Sequence, residues 1–488
     1  MLVLGLTYLV VEKPWRAKPS ATPAIAAASS AARSTVSDKS VAVLPLEDLS
    51  EKKDQGYFSD GLSEELIELL AKVPGLRVPA RTSSFYFKGK QATLEDIAKA
   101  LNVSHVLEGS VRKSGQTLRI TTELVEIDSG TPVWSETFDR RLDDIFKVQD
   151  EIAGAVVASL KVSLLGGSAP RAAPTANSEA YTFYLKCLQA ATLETRESTA
   201  AGIADCRRAI ELDPNYAPAW ALLGGALRSQ FAGFGSTSYE DTRPQAYAAI
   251  QRSLALDPQS ADAHVELANL LYQMDFEPAA ADVELQRALA LDPANAGAYW
   301  LEGYVASTQG RFDDALHALQ RSRELDPLDS DAQIQIGNVN YRAVRLTEAA
   351  NAFRATLALQ PAISTVHYRL GLVYLAQGDA AAALSEMQKE PDSDFHATGM
   401  PLALDAVGRK SDADAALANA EKTAAVGASY QIALIHAARK DADGAFAWLD
   451  RAYKQRDAGM LWIKADPLLK GLRGDPRFLE LLRKMHLT

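Results

Sequence analysis

Leu291-Asp292-Pro293 returns as Leu325-Asp326-Pro327 and then, with one change, as Leu359-Gln360-Pro361. The same phrase stands upstream at Leu212-Asp213-Pro214 and Leu256-Asp257-Pro258, so successive prolines lie 44, 35, 34 and 34 residues apart. Proline has no backbone N–H to give and its ring clashes with the turn before it, so each phrase ends one helix and opens the next unit. Within each unit small residues recur: Gly224, Gly303, Gly337 and Gly371 in the first half, and Ala246, Ala281, Ala315, Ala349 and Ala383 in the second. Two helices approach closely only where glycine or alanine faces alanine, and the larger residues then reach the neighbouring unit. The spacing predicts a row of helical hairpins, each burying its apolar face on the next.

A period of 34 closed by proline is the tetratricopeptide signature, and Trp220, Tyr299 and Tyr374 fall where it places aromatic residues. The repeats are expected over residues 178–455, about seven or eight pairs, with degenerate pairs near 395–422 and 428–453. Residues 456–488, with Asp466-Pro467, Asp475-Pro476 and the amphipathic run Leu479–Met485, read as a C-terminal capping segment. The 44-residue interval adds about ten residues near 230–239, within the second pair. They form either a longer loop or a contact loop, since Phe231, Phe234 and Tyr239 are costly to leave in water.

Residues 39–165 read differently. Ser40–Leu46 is a short apolar run that reads as an opening strand, and Leu62, Leu66, Ile67, Leu69, Leu70 and Val73 recur at helical spacing until Pro74-Gly75. Leu76–Val78 can form a second strand, and Thr93 with Asp96 marks a helix start. From His105 the period becomes two: Leu118, Ile120, Thr122 and Leu124 alternate with Arg119, Thr121 and Glu123, as one dry and one wet face require. A last helix runs from Leu142 to Leu160. The fold class expected is α+β multidomain: a small mixed α/β domain followed by an all-α tetratricopeptide solenoid.

Val41-Ala-Val-Leu-Pro-Leu46, Gly56-Tyr-Phe-Ser-Asp-Gly-Leu62, Leu107-Glu-Gly-Ser-Val-Arg112 and Trp134-Ser-Glu-Thr-Phe-Asp-Arg140 occur in order. Together they resemble the bacterial domain similar to the amino-terminal domain of TolB translocation proteins. In that family the domain is often fused to tetratricopeptide repeats, across a membrane helix from a winged-helix, nucleotide cyclase or kinase effector. The resemblance covers about residues 40–165, implies a sensory or interaction role and supplies no catalytic residue.

Residues 1–12 are largely apolar but shorter than the ~20 residues a spanning helix needs. They are read either as part of a membrane helix or as a strand or loose start. Lys13, Arg16 and Lys18 leave the orientation open, and residues 13–38, rich in Ala, Ser, Thr and Pro, make a flexible linker.

The 488 residues carry 51 Lys and Arg against 62 Asp and Glu, a net charge of −11. Nucleic-acid affinity comes from neutralising phosphates, so DNA and RNA are not expected partners. No P-loop, hydrolase elbow or His-Glu-x-x-His appears, the seven histidines are scattered, and adjacent carboxylates such as Glu64-Glu65 do not face each other on a helix. No catalytic residue, metal site or cofactor is expected. Cys187 and Cys206 lie on the two helices of the first pair, either as buried thiols or, in an oxidising periplasm, as a disulfide. The inward positions of the first helices include Asn269, Tyr272, Gln273, Trp300, Tyr304, Asn338, Tyr341, Arg342 and Tyr368. These aromatics, amides and one arginine suit an extended peptide or protein segment, although some can simply pack between helices. The function expected is a non-catalytic interaction or sensory module of a bacterial membrane-associated signalling system, tethered at its N-terminus with a periplasmic solenoid. Two alternatives stand: one half of a larger transmembrane transcriptional regulator or nucleotide cyclase, and a soluble cytoplasmic adaptor.

Overall fold

The computed structural model describes residues 39–160, 175–193, 195–232 and 237–487. The expected apolar segment 1–12, the whole of the 13–38 linker and Phe234 lie outside the described residues.

The α/β part is built on one mixed sheet in the order β1 (Val41–Val43), β3 (His105–Ser114), β4 (Thr117–Glu126) and β5 (Thr131–Arg141). β1 runs parallel to β3, as does the short β2 (Glu47–Asp48) further along the same edge. The expected single strand is therefore divided, because Pro45 brings no N–H to the ladder and the next amide, Leu46, donates to Ser63 Oγ instead at 2.9 Å. Leu76–Val78 contributes one bridge, Ser40 with Arg77, and not a strand. β3, β4 and β5 form the antiparallel meander, its first turn carried by Gly115 at φ 59°.

One face of this sheet is covered by α1 (Gly56–Ala71) and α4 (Ile145–Ser159), with Val41, Val43, Leu107, Ile120 and Leu124 beneath Phe58, Leu66, Val148 and Ile152. At the β1–β3 end the other face takes α3 (Leu94–Leu101) on Ala42 and Val106. Further along, that face is wet and carries the exposed Arg119–Asp139 pair at 2.7 Å.

From residue 178 eight helical hairpins follow: α5 (Ser178–Ala191) with α6 (Arg196–Leu212), α7 (Ala217–Ala232) with α8 (Tyr239–Leu256), α9 (Ala261–Asn269) with α10 (Pro278–Leu291), α11 (Ala296–Thr308) with α12 (Phe312–Leu325), α13 (Ser330–Arg342) with α14 (Leu346–Leu359), α15 (Val366–Gln377) with α16 (Ala380–Met387), α17 (Ser393–Ala406) with α18 (Lys410–Thr423), and α19 (Ser429–Ala438) with α20 (Ala442–Gln455). The steric reading of the repeat is visible directly. A Cβ on Gly303 would stand 2.6 Å from Leu319 Cγ, and one on Gly371 would stand 2.7 Å from Met387 Cγ. Ala246, Ala281, Ala315, Ala349 and Ala383 are fully buried.

The repeated aspartates tie the turns. Asp213, Asp257 and Asp292 each accept from the amide two residues on at 3.0 Å. Asp326 does something else. Its carboxylate accepts from the Ser83 amide at 2.8 Å and from the Ser83 hydroxyl, and that hydroxyl in turn accepts from the Leu328 amide at 2.8 Å. Ser83, on α2 (Arg81–Phe85), is thus inserted into a repeat turn, with Ala80 donating to the Leu325 carbonyl alongside. At the opposite end, α1 and α4 rest on α5: Gly61 receives the Leu185 side chain, and Gln149 donates to Tyr181 Oη at 2.9 Å. The α/β domain is held at the first hairpin and again at the turn before the fifth.

The described edges of the insertion in the second hairpin pack on their own chain. Tyr239 packs on Phe231 at 6.1 Å and donates to Asp275, which also accepts two bonds from Arg243 at 2.7 Å and one from Tyr247 at 2.8 Å. Beyond α20 come two tight turns, Ala458–Trp462 and Pro467–Leu472, and α21 (Pro476–Lys484). This end packs on α19 and α20, and it also crosses the superhelix to share one apolar core with Tyr272, Phe276, Leu285 and Leu301.

Candidate functional site

The inner surface of the superhelix is lined by the first helix of each hairpin, and the nine inward residues all lie along it. Asn269 accepts from Gln273 at 3.2 Å, and Gln273 accepts from Arg228 at 3.1 Å, whose Nε meets Glu266 at 3.2 Å. Next in line are the aromatics. Tyr304 stacks on Trp300 at 5.2 Å and takes Tyr272 edge-on at 5.3 Å. Asn338 accepts from Arg369 at 2.8 Å, and the Tyr368 ring meets Phe395 at 5.2 Å.

Five of the nine (Asn269, Tyr272, Asn338, Tyr341 and Tyr368) are buried, and what covers this half of the surface is the chain's own end. Trp462 inserts between Arg342, whose guanidinium carbon lies 3.4 Å over the indole, and Tyr304, whose ring centre is 4.6 Å away. Asp466 follows, accepting from Tyr430 Oη at 3.1 Å and from the Leu468 amide at 2.9 Å. Burial raises the Asp466 carboxyl against the pull of Arg342, and burial likewise lowers the Arg342 guanidinium. Burial with Arg342 close by lowers Arg369 to about 10.

The other half of the inner surface opens on a cavity of about 650 Å³. Its walls bring together Arg228, Glu266, Gln273, Trp300, Tyr304 and Gln335, with Leu461 of the C-terminal segment closing one side. Three of these, Gln273, Trp300 and Tyr304, were among the inward residues read from the repeat. Arg228, Glu266 and Gln335 sit on first helices of the repeats and were not among those nine. The role of Trp462 and Asp466 had a faint signal, the apolar run Leu461-Trp462-Ile463 standing after the last repeat.

Cys187 on α5 and Cys206 on α6 are joined as a disulfide, their Cα atoms 5.4 Å apart. Two histidines pair with carboxylates across their hairpins, His264 with Glu284 and His367 with Glu386, each at 2.7 Å, and His436 meets Glu421 of the preceding hairpin at 3.0 Å. Among the described residues no group of three or more His, Cys, Asp and Glu side chains is placed to hold a metal ion, and no helix is long and apolar enough to cross a membrane.

The tetratricopeptide repeat family model matches residues 275–329, 301–362 and 345–394. A Rhizobium meliloti (strain 1021) protein named "Putative adenylate cyclase 3" is 35% identical over 237 residues, 48% of this chain. The chain spans only 40% of that relative's length. Among solved structures, the type IV pilus biogenesis factor PilW is 18% identical with a TM-score of 0.37, over 44% of this chain and 92% of that one. YrrB, described as a TPR protein with an unusual peptide-binding site, is 23% identical with a TM-score of 0.30, over 43% of this chain and 96% of that one. The repeats make this region a protein-interaction scaffold in type.

Proposed function

We propose that the chain is a non-catalytic module that binds a protein or peptide segment in the concave face of its solenoid, as part of a bacterial membrane-associated signalling system. The observation that carries the binding step is the cavity of about 650 Å³, where an ion pair, two amides and two stacked aromatics converge on one concave wall. That mixture offers backbone hydrogen bonds and aromatic contact to an extended chain, as ligand sites generally do. The α/β domain, with its resemblance to the TolB amino-terminal domain, is the second interaction element. The Cys187–Cys206 bond suits an oxidising compartment, which supports a periplasmic solenoid tethered through the N-terminal segment. A second reading, work alongside a nucleotide cyclase or other effector, is favoured by the cyclase-named relative.

The test is capture from envelope extracts with the full chain as bait. Tyr341 is buried and belongs to the core, so Glu266→Ala and Gln335→Ala, on the cavity wall, are the informative variants. The expected result is loss of the captured partner with helical content retained. Capture equal to that of the unaltered chain would remove the cavity from this role.

A further inference from the structure

The turns at Ala458–Trp462 and Pro467–Leu472 belong to no repeat, yet Leu461, Trp462, Ile463 and Asp466 are all buried. They lie across the inner surface in the manner of a bound peptide. One aromatic ring is clamped between Arg342 and Tyr304, and a carboxylate four residues later reaches the Tyr430 hydroxyl. The fit is incomplete in one respect. Arg342 Nε and Nη1, Trp300 Nε1 and Tyr368 Oη are buried and have no hydrogen-bond partner among the described residues. Asp466 attracts Arg342 across space but accepts its own bonds from Tyr430 and Leu468. Buried donors without an acceptor cost free energy, most of all on a charged group. The segment therefore satisfies the apolar and stacking requirements of this surface and leaves its demand for an acceptor unmet.

We propose that residues 457–472 are an internal stand-in for a partner: an extended peptide with an aromatic side chain that replaces Trp462 over Arg342, followed closely by a carboxylate that bonds the Arg342 guanidinium. The Arg342 guanidinium lies on this stretch, over Trp462, and its unpartnered donors are charged, so the missing acceptor is an anion and not a neutral amide. The own segment is present at high effective concentration, so a partner enters only by displacing it. The proposal rests on the concave-face reading above and places the peptide in the half of the face next to the open cavity.

The probe is a fluorescently labelled synthetic peptide of the 457–472 sequence, titrated onto the full chain and followed by anisotropy. The unaltered chain is expected to bind it weakly. Trp462→Ala in the chain empties the clamp and raises affinity at least ~10-fold; adding Arg342→Gln to that variant reverses the gain. A peptide with alanine in place of its tryptophan is expected not to bind. If circular dichroism shows that the Trp462→Ala chain has lost its fold, Trp462→Leu, which removes the ring and keeps an apolar side chain, takes its place with the same expectation. Equal affinity for the unaltered chain and the variants, or indifference to Arg342→Gln, overturns the proposal. Its failure is separable from failure of the function proposed above: Glu266→Ala and Gln335→Ala alter partner capture without touching the Trp462 clamp.

Discussion

Hairpins one to four supply most of the wall of an open cavity, whereas further along the inner surface Tyr304, Arg342 and Tyr430 close over Trp462 and Asp466 of the chain's own end, which also packs on the third and fourth hairpins. Both halves are written in the same repeat, and the same inward positions carry Gln273 in one and Tyr341 in the other. What differs is the material across the gap. Where nothing crosses, an inward side chain is a lining group; where the C-terminal segment crosses, it is core. An inward position in a solenoid is therefore a necessary condition for contact with a partner and not a sufficient one.

The sharpest way to break this comparison is to undo the filling. Phe478 on α21 is 1% exposed and belongs to the core shared with Phe276 and Leu301, so Phe478→Ala should lower stability by ~3–5 kcal/mol in urea unfolding. An unchanged midpoint would show that the closed half is not part of the cooperative structure. Next in size is the open half's own brace. Reduction of Cys187–Cys206 should cost up to ~3 kcal/mol, read as a lower melting temperature with reductant that a double serine variant no longer shows.

Smaller, and more discriminating, is the pair of phrase aspartates. Asp326→Ala strands the buried Ser83 donors and should cost ~1–3 kcal/mol, while Asp292→Ala, which removes only a turn bond, should cost about 1 kcal/mol or less. Equal effects would mean that Ser83 adds nothing to the junction. The smallest effect is a pH slope. Burial holds the Glu64 carboxyl up to about 7 against the attraction of Arg81, with Glu65 and Asp60 adding to the rise. A raised folded-state pKa gives stability that is complete below the ordinary carboxylate range and lost as pH rises through about 7. Unfolding midpoints should fall between about pH 5 and 8, and Glu64→Gln should flatten the decline. An unaltered slope would show that the Arg81 pair outweighs burial.

Much of the architecture was legible because its causes are local. Proline ends a helix wherever it falls, and Gly303 or Ala315 must be small whatever lies beyond the hairpin. Alternation in β4 named its dry face for the same reason. The division of the first strand was less visible, since Pro45 within an apolar run looks like a strand end until Ser63 is seen taking the next amide. The site was legible in position and not in state. Nothing within hairpins three to six announces that Trp462, about 120 residues beyond Arg342, returns to stack on it. Ser83 is hidden in the same way, being an unremarkable serine until Asp326 is found across from it.

That serine has a mechanical meaning. Fastened at α5 and again at the Asp326 turn, the α/β domain is a strut across successive coils of a spring, and the coils between its two footings keep a fixed pitch. Anything that winds or unwinds the coil there must either load the strut or lift it from its second footing at the Ser83 joint.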